Sequence, residues 1–499
     1  MALGGSAPVE DSDRSGRHAL LLFGIIAVAL FLRFWRLGDW GFDSDEIFML
    51  RDSIEIRPRN PRPLMYLMNH YLINPVLSLN EFSLRLLPAL FGVLGIPVFY
   101  LMTRRLAGTR AALFGAFLIA VSGLHVYYSQ FARYWTLVFL LCSVYPYAVY
   151  LGLRERNRRL LLLGIATAGL AVLAHPASVL PAGGLVLWIL GTYVRKDRLQ
   201  SLWRERSVRW ALAVVALLAA GAAVRFIPLL RAWIWQRDTV PRGEFLLHLP
   251  MTPGVKQVLY LIGYVESLSL ALFLTGVLGI YLLWQGRDRS LALLLTCMFV
   301  FPIAFLVLLS FRTPVSTFYL VPTLPIMFIA AGVLLDHIAG VDWGLRPRWL
   351  VASVLTVLII AAGAPTLISQ YRDGRRYDFR GAAHWVQSKM APGDVVVSDQ
   401  SEVTTHYLQG RKAERLVADP ELLTQTVERL KNGGSLWIIA PYSAQGGHRT
   451  NPRLGGLKSW IYDNCRLRHV VGVARLDFRV NELQVYQCSD QTGLKVALR

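Results

Sequence analysis

The sequence predicts a mainly α-helical, polytopic membrane protein with about eleven transmembrane helices and a C-terminal extracytoplasmic α/β domain. Three observations predict it. Of the 499 residues, 54% are hydrophobic and only 17% charged, whereas soluble domains run near a quarter charged. The excess is gathered into runs of about 17–22 apolar residues, long enough to cross a hydrocarbon core of ~30 Å. After Ser369 these runs stop, and β-rich stretches alternate with helical ones. The net charge of +20 does not point to nucleic acid, because the basic residues mostly bracket the apolar runs, as membrane topology requires.

Met1 to Arg17 is short and polar, and the run from about His18 to Leu32 ends in Arg33, Phe34, Trp35 and Arg36, with no small-residue cleavage site. It reads as an uncleaved first span. Further spans are expected near 84–103, 110–125, 135–152, 160–174, 177–194, 210–230, 258–284, 290–310, 317–336 and 349–368. The loops rich in arginine (104–110, 154–159, 195–209, 287–289 and 346–348) then all fall on the side of the amino terminus, which the positive-inside rule makes cytoplasmic. The segment after the first span, His125–Arg133, the loop Arg231–Lys256 and everything after Ser369 face outward.

Residues 1–369 thus form a transmembrane domain and 370–499 a separate α/β domain. In the tail, helical stretches at Gly381–Met390 and Glu421–Lys431 alternate with strand-like runs at Asp394–Ser398, Ser435–Ala440, Val470–Leu476 and Glu482–Gln487. Cys465 and Cys488 flank the last of these; an oxidising exterior permits a disulfide, and two buried thiols fit equally well. Cys142 and Cys297 lie inside spans, as packing residues.

Chemistry is suggested first by Gly41-Phe-Asp43-Ser-Asp45-Glu46, three carboxylates just past the first span. Asp43 and Glu46 have the spacing of a capping box, which explains two of them without any reaction. Asp45 is left over. Raised by its acidic neighbours, it suits a general base; with Asp43 it makes an Asp-x-Asp pair able to take a divalent cation against phosphate oxygens. Two acids alone are a weak metal signal, so no cofactor is required and a divalent cation is an option. Further on, His70 lies with Tyr66 and Tyr71 in an amphipathic surface stretch, either as interface anchors or as cleft lining. His125-Val-Tyr127-Tyr128-Ser-Gln-Phe-Ala-Arg133 reads as an aromatic belt with one basic anchor, or as an arginine fork offered to a lipid phosphate with tyrosine support. His175 and Arg312, both at outward span ends, would add basic character for a leaving phosphate.

These residues resemble a family. Asp45-Glu46 after the first span, Ser83-Leu-Arg85-Leu-Leu-Pro88-Ala-Leu-Phe-Gly92 with Arg104-Arg105-Leu-Ala-Gly108, Val121-Ser-Gly-Leu-His125 running into Ala132-Arg133-Tyr134, and Tyr319-Leu-Val-Pro322-Thr-Leu-Pro325 are similar to the GT-C membrane glycosyltransferases. The likeness is to the bacterial branch related to protein O-mannosyltransferases and lipid A aminoarabinose transferases. The resemblance implies a multi-pass enzyme of the bacterial cytoplasmic (inner) membrane. It would move one sugar from a polyprenyl-phosphate donor to an acceptor protein, lipid or glycan at the outer face. It makes Asp45 the base with Glu46 beside it, and adds Tyr319 to the substrate-binding set of Asp43, His70, Tyr127, Tyr128, Arg133, His175 and Arg312. Two departures stand out: Phe131 where many relatives carry an acid, and Phe318 where many carry arginine before the tyrosine.

A polyprenyl phosphate is already a good leaving group, so the reaction needs a base for the acceptor hydroxyl and cations at the departing phosphate, with inversion in one displacement. The chief alternative is a lipid or sugar transporter or flippase, which would show inverted repeats or spans broken at mid-membrane. The acids here cluster at a span end and no repeat is found. The tail carries no Trp-Trp-Asp motif of an oligosaccharyltransferase and no Gly-x-Gly-x-x-Gly after a strand.

Overall fold

The computed structural model describes residues 10–56, 62–193, 262–266, 268–286, 288–310, 317–342, 349–416, 420–430, 434–441, 452–472 and 482–488. The expected span at 210–230, the loop Arg231–Lys256 and Arg312 lie outside them.

Helices α1 (Glu10–Phe34), α2 (Ser44–Ile54) and α3 (Pro63–Met68) are followed by one π-helical turn at Asn69–Ile73. Then come α4 (Glu81–Ala107), α5 (Thr109–Val121), α6 (Gly123–Ser129), α7 (Trp135–Cys142), α8 (Tyr145–Arg154), α9 (Arg158–Ala174) and α10 (Val179–Tyr193). After the undescribed stretch the bundle resumes with α11 (Leu270–Gln285), α12 (Arg289–Ser310), α13 (Leu324–Gly340) and α14 (Leu350–Asp373). Among the described residues, six helices are long and apolar enough to span a membrane, and seven if the bent pair α5–α6 counts as one. The expected spans at 160–174 and 177–194 are helices, but shorter ones. Burial sorts the six by place: 83% of the apolar window is buried for Trp135–Arg154 and for Thr317–Gly340, against 17% for α1 and for α14, so the first two are central and the last two peripheral. The exposed leucines, valines and phenylalanines of α1 and α14, such as Leu20, Phe23, Val357 and Leu358, are the lipid-facing surface.

Glycines set the closest approaches. A Cβ on Gly276 would meet Met327 Sδ at 2.9 Å, and one on Gly279 would run into the Ala330 carbonyl, so α11 and α13 touch backbone to backbone. The α5–α6 pair bends by 61° at Ser122. The carbonyls this break exposes are taken by a residue of another helix: Arg33 on α1 donates to Ala120 O at 3.0 Å and to Ile119 O at 3.1 Å. A broken span with its backbone so satisfied is tolerated at membrane depth. The break falls at Ser122-Gly123, inside the stretch 110–125 expected as one span.

The connections gather at two ends of the bundle. One end carries the arginine-rich loops 104–110 and 154–159, joined by Arg105–Glu155 (2.6 Å), Arg110–Asp336 (2.7 Å) and Arg154–Asp288 (2.7 Å). The other collects the acidic cluster, residues 130–134, His175, Tyr319 and the segment after α14.

The tail folds as expected into mixed α/β structure. Helices α15 (Phe379–Gln387), α16 (Ser401–Tyr407), α17 (Pro420–Arg429) and α18 (Pro452–Asn464) accompany strands β1 (Val395–Ser398), β2 (Ala413–Arg415), β3 (Leu436–Pro441), β4 (Cys465–Val471) and β5 (Leu483–Cys488). The sheet order is β2-β1-β3-β5-β4, parallel across β2-β1-β3 and antiparallel for β5 and β4. Strand β4 begins at Cys465, earlier than expected, and β2 was not foreseen. Cys465 and Cys488 are directly opposed in register and disulfide-bonded. The domain docks on the bundle through Tyr407, whose hydroxyl accepts from Phe42 N (2.6 Å) and donates to Glu81 Oε1 (2.8 Å).

Candidate functional site

The acidic cluster divides into three carboxylates with three surroundings. Asp43 is the N-cap of α2: its Oδ1 accepts from Asp45 N (3.2 Å), and its own N–H donates to Glu46 Oε2 (3.0 Å), closing the capping box. Burial first, and then the negative charges of Asp45 and Glu46, push the Asp43 carboxyl above its usual range.

Glu46 is wholly buried. Its Oε1 accepts from Arg85 Nε (2.8 Å) and Ala132 N (2.7 Å); its Oε2 accepts from Arg85 Nη2 (2.8 Å) and Arg376 Nη1 (2.6 Å) as well as Asp43 N. Burial alone would raise this carboxyl, but the guanidiniums of Arg376 and Arg85 overcome it and hold the pKa at about 2. Glu46 is therefore an anchor with no oxygen left to meet a substrate. It ties the first loop to the Phe131–Arg133 turn and to the segment after α14. The guanidiniums are themselves satisfied: Arg85 also donates to the carbonyls of Leu37, Trp40 and Gly41, and Arg376 to those of Gly374 and Gln130. This fixes the role of the Ser83–Gly92 stretch, since Arg85 holds Glu46 and Gly92 leaves room for Ser129.

Asp45 is the exposed member. Its side chain is 40% accessible, while that of its partner Arg133 is 10% accessible. Arg133 Nη2 donates to Asp45 Oδ1 (3.2 Å) and Nη1 to the Asp45 carbonyl (3.0 Å), which leaves Oδ2 without a partner among the described residues. Burial would discharge Arg133, yet Tyr134, Asp45 and Asp43 raise its pKa and keep it cationic. Its guanidinium lies 5.1 Å from the Tyr134 ring, and Arg62, whose Nη1 donates to the Tyr134 hydroxyl (2.8 Å), lies 5.3 Å from the same ring.

Beside these residues lies an aromatic group. His175 stacks on Tyr134 (4.5 Å between centroids, 28°) and on Tyr319 (5.9 Å, 26°), with Trp135 at 4.8 Å. His175 had been counted as basic; burial first, then Arg62 and Arg133, push its imidazole well below the usual range, so it is neutral. Tyr127 stacks on Phe131 (5.4 Å, 20°) with the Arg375 guanidinium 5.6 Å from its ring, whereas Tyr128 is buried against Trp135 and Phe318. Both departures from the family pattern are filled by packing: Phe131 carries the Arg376 guanidinium at 5.6 Å, and Phe318 packs on Tyr128.

Asp45, Arg133, His175 and Tyr319 are thus brought together. His70 is not: its Nδ1 pairs with the Ser53 carbonyl (2.8 Å), toward the far end of α2 and about 12 Å along the helix from Asp45. Sequence reasoning missed Arg62, Arg85 as an ion-pair partner, Arg375 and Arg376. The last two had a signal, a basic pair directly after the final span.

Among the described residues no group of three or more His, Cys, Asp or Glu side chains could hold a metal. Glu46 is taken up by guanidiniums and Asp43 Oδ1 by the helix cap, so Asp43 and Asp45 offer one free oxygen each, beside cationic Arg133.

A family profile described as dolichyl-phosphate-mannose-protein mannosyltransferase matches residues 61–224. No curated protein matches the sequence. The structure is similar to that of ArnT from Cupriavidus metallidurans in the apo state (16% identity, 95% of this chain and 98% of that one, TM-score 0.55). It is also similar to the same protein bound to undecaprenyl phosphate (16%, 93% and 97%, 0.53). A third likeness is to AglB, an archaeal oligosaccharyltransferase from Archaeoglobus fulgidus, in complex with an inhibitory peptide and a dolichol-phosphate (14%, 97% and 75%, 0.54).

Proposed function

We propose that this chain, whose fold is that of the GT-C membrane glycosyltransferases, is a polyprenyl-phosphate-sugar-dependent glycosyltransferase. It transfers a single hexose or pentose to a hydroxyl of an acceptor protein, lipid or glycan at the outer face of a bacterial cytoplasmic membrane. The observation that carries the reading is Asp45: a half-exposed carboxylate with one oxygen held by the buried, cationic Arg133 and the other oxygen free.

In this reaction Asp45 Oδ2 takes the proton of the acceptor hydroxyl as its oxygen bonds to the anomeric carbon. The bond from that carbon to the phosphate oxygen breaks on the opposite side, so the anomeric centre inverts, and the departing phosphate keeps the electron pair. Arg133, with Arg62 nearby, meets the charge that develops there. No general acid is needed, because a phosphate is stable as an anion at neutral pH. Glu46, Arg85 and Arg376 hold the geometry without touching substrate. Two similar folds are reported with polyprenyl phosphates bound, which supports a lipid-linked donor. The arginine-rich end would face the cytoplasm and the α/β domain, docked on the site end, would bear on the acceptor.

The test is Asp45→Asn in membranes supplied with lipid-linked sugar donor. Loss of a general base lowers kcat by about 10²–10⁴-fold; sugar transfer at the wild-type rate would overturn the assignment. A transporter would show donor translocation that survives this substitution.

A further inference from the structure

His175 presents a polar atom for which the fold has no use. The residue is only 3% exposed. It ends α9, and its Nδ1 accepts a hydrogen bond from Ala177 N at 3.0 Å, capping the short turn Pro176–Ser178. That bond needs the Nδ1 lone pair, so the single proton of the neutral ring sits on Nε2. The ring faces are occupied by Tyr134 and Tyr319, and Nε2 is buried without a hydrogen-bond partner among the described residues. A second buried donor in the same place, Arg133 Nε, is also without one, although Arg133 uses both terminal nitrogens on Asp45. Buried donors are almost always satisfied, and one left over beside a reactive carboxylate is completed by a ligand more readily than by the protein.

The chemistry of the surroundings selects that ligand. Arg62, Arg133 and His175 converge as donors around Tyr134, and the acceptor nearby, Asp45, is taken up by Arg133 on one oxygen. A sugar hydroxyl asks for an acceptor as well as a donor. A phosphate oxygen takes donors only. We propose that His175 Nε2–H is a fixed, uncharged hydrogen-bond donor to a phosphate oxygen of the lipid-linked donor, so that one N–H dipole and the arginine charge act together on the leaving group. This rests on the lipid-donor reading above and assigns His175 within it, as a donor and not as a cation.

Two substitutions separate this role from the capping role. Asparagine places its amide oxygen where Nδ1 stands and keeps the cap, but it is too short to supply Nε2–H. Glutamine reaches the Nε2 position with an amide N–H and gives up the cap. The experiment titrates the purified full-length chain in detergent with a polyprenyl monophosphate, read by tryptophan fluorescence, for wild type, His175→Asn, His175→Gln and Asp45→Asn. The expected order is wild type and His175→Gln within about threefold of one another, and His175→Asn weaker by about tenfold, the value of one hydrogen bond to a charged group. A purely structural histidine gives the reverse order, with Asn near wild type and Gln impaired, and that result overturns the proposal. Equal affinity of all four proteins overturns it too. Asp45→Asn is expected to bind the monophosphate normally and, in a separate assay with lipid-linked sugar, not to turn over. Its turnover would remove the base assignment and leave His175 in place, whereas absence of saturable binding to wild type would remove the lipid-donor reading and His175 with it.

Discussion

Replacing Glu46 by glutamine changes one atom and one charge at the centre of the site. Glu46 accepts five hydrogen bonds, two on Oε1 and three on Oε2. Whichever way the glutamine amide turns, at least two N–H donors then face an NH₂ group, and Arg85 and Arg376 lose their shared counter-ion. The carboxyl stands at about 2 in the folded chain against an ordinary 4.5, and at ~1.36 kcal/mol per pH unit this corresponds to about 3 kcal/mol of stability at neutral pH. Removing one partner from a buried ion pair costs ~3–5 kcal/mol, the same range. Because the folded pKa is depressed, the contribution is complete above about pH 4.5 and disappears as the pH falls toward about 2. Thermal unfolding in detergent at pH 7 should show Glu46→Gln melting about 3–7 °C below wild type, at ~2 °C per kcal/mol or somewhat less for a chain of this length. The difference should shrink as both proteins are acidified below pH 4.5. Sugar transfer should fall as well, since Glu46 ties Ala132, and with it Arg133, to the Asp45 loop. A melting temperature within about 1 °C of wild type at pH 7, with transfer intact, would refute the reasoning.

Asp43→Ala should cost about 1 kcal/mol through loss of the α2 cap, whereas Asp43→Asn, which caps equally well, should be close to neutral in thermal unfolding. If Asn instead abolished transfer while leaving stability unchanged, Asp43 would belong to the chemistry. Gly279→Ala should lower the yield of folded, monodisperse protein in detergent extraction, because the new methyl meets the backbone carbonyl of Ala330 and a backbone on a packed helix cannot yield. Normal yield and melting would mean that α11 and α13 are further apart than described.

What the sequence made legible was local. Apolar runs, arginine-rich loops and the Asp43/Glu46 spacing each need only a window of neighbouring residues; helices stand at the expected spans that fall on described residues, six or seven of them long enough to cross a membrane, and the capping box is there. The special position of Asp45 also followed by subtraction, once its two neighbours were assigned to the cap. The illegible part was pairwise and distant. Arg85 stood in a recognised motif, but nothing along the chain says that its partner lies 39 residues earlier, or that Arg376 arrives from 330 residues later. His175 was read as a cation because histidine titrates near neutrality in water; burial between aromatic rings and two arginines reverses that, and burial is a property of the fold. The α5–α6 break escaped because Arg33, on another helix, satisfies the exposed carbonyls. Strand β2 escaped because three residues carry too little pattern.

The Glu46 network also sets an order on biogenesis. Glu46 is synthesised 39 residues before Arg85 and 330 residues before Arg376, which follows α14. Until it arrives, the Glu46–Arg85 pair lacks its third member, and the turn at Gln130–Arg133 lacks the cation that clamps it from outside. The reactive constellation is therefore assembled last, so a chain interrupted anywhere before Arg376 should insert into the bilayer without becoming competent for transfer.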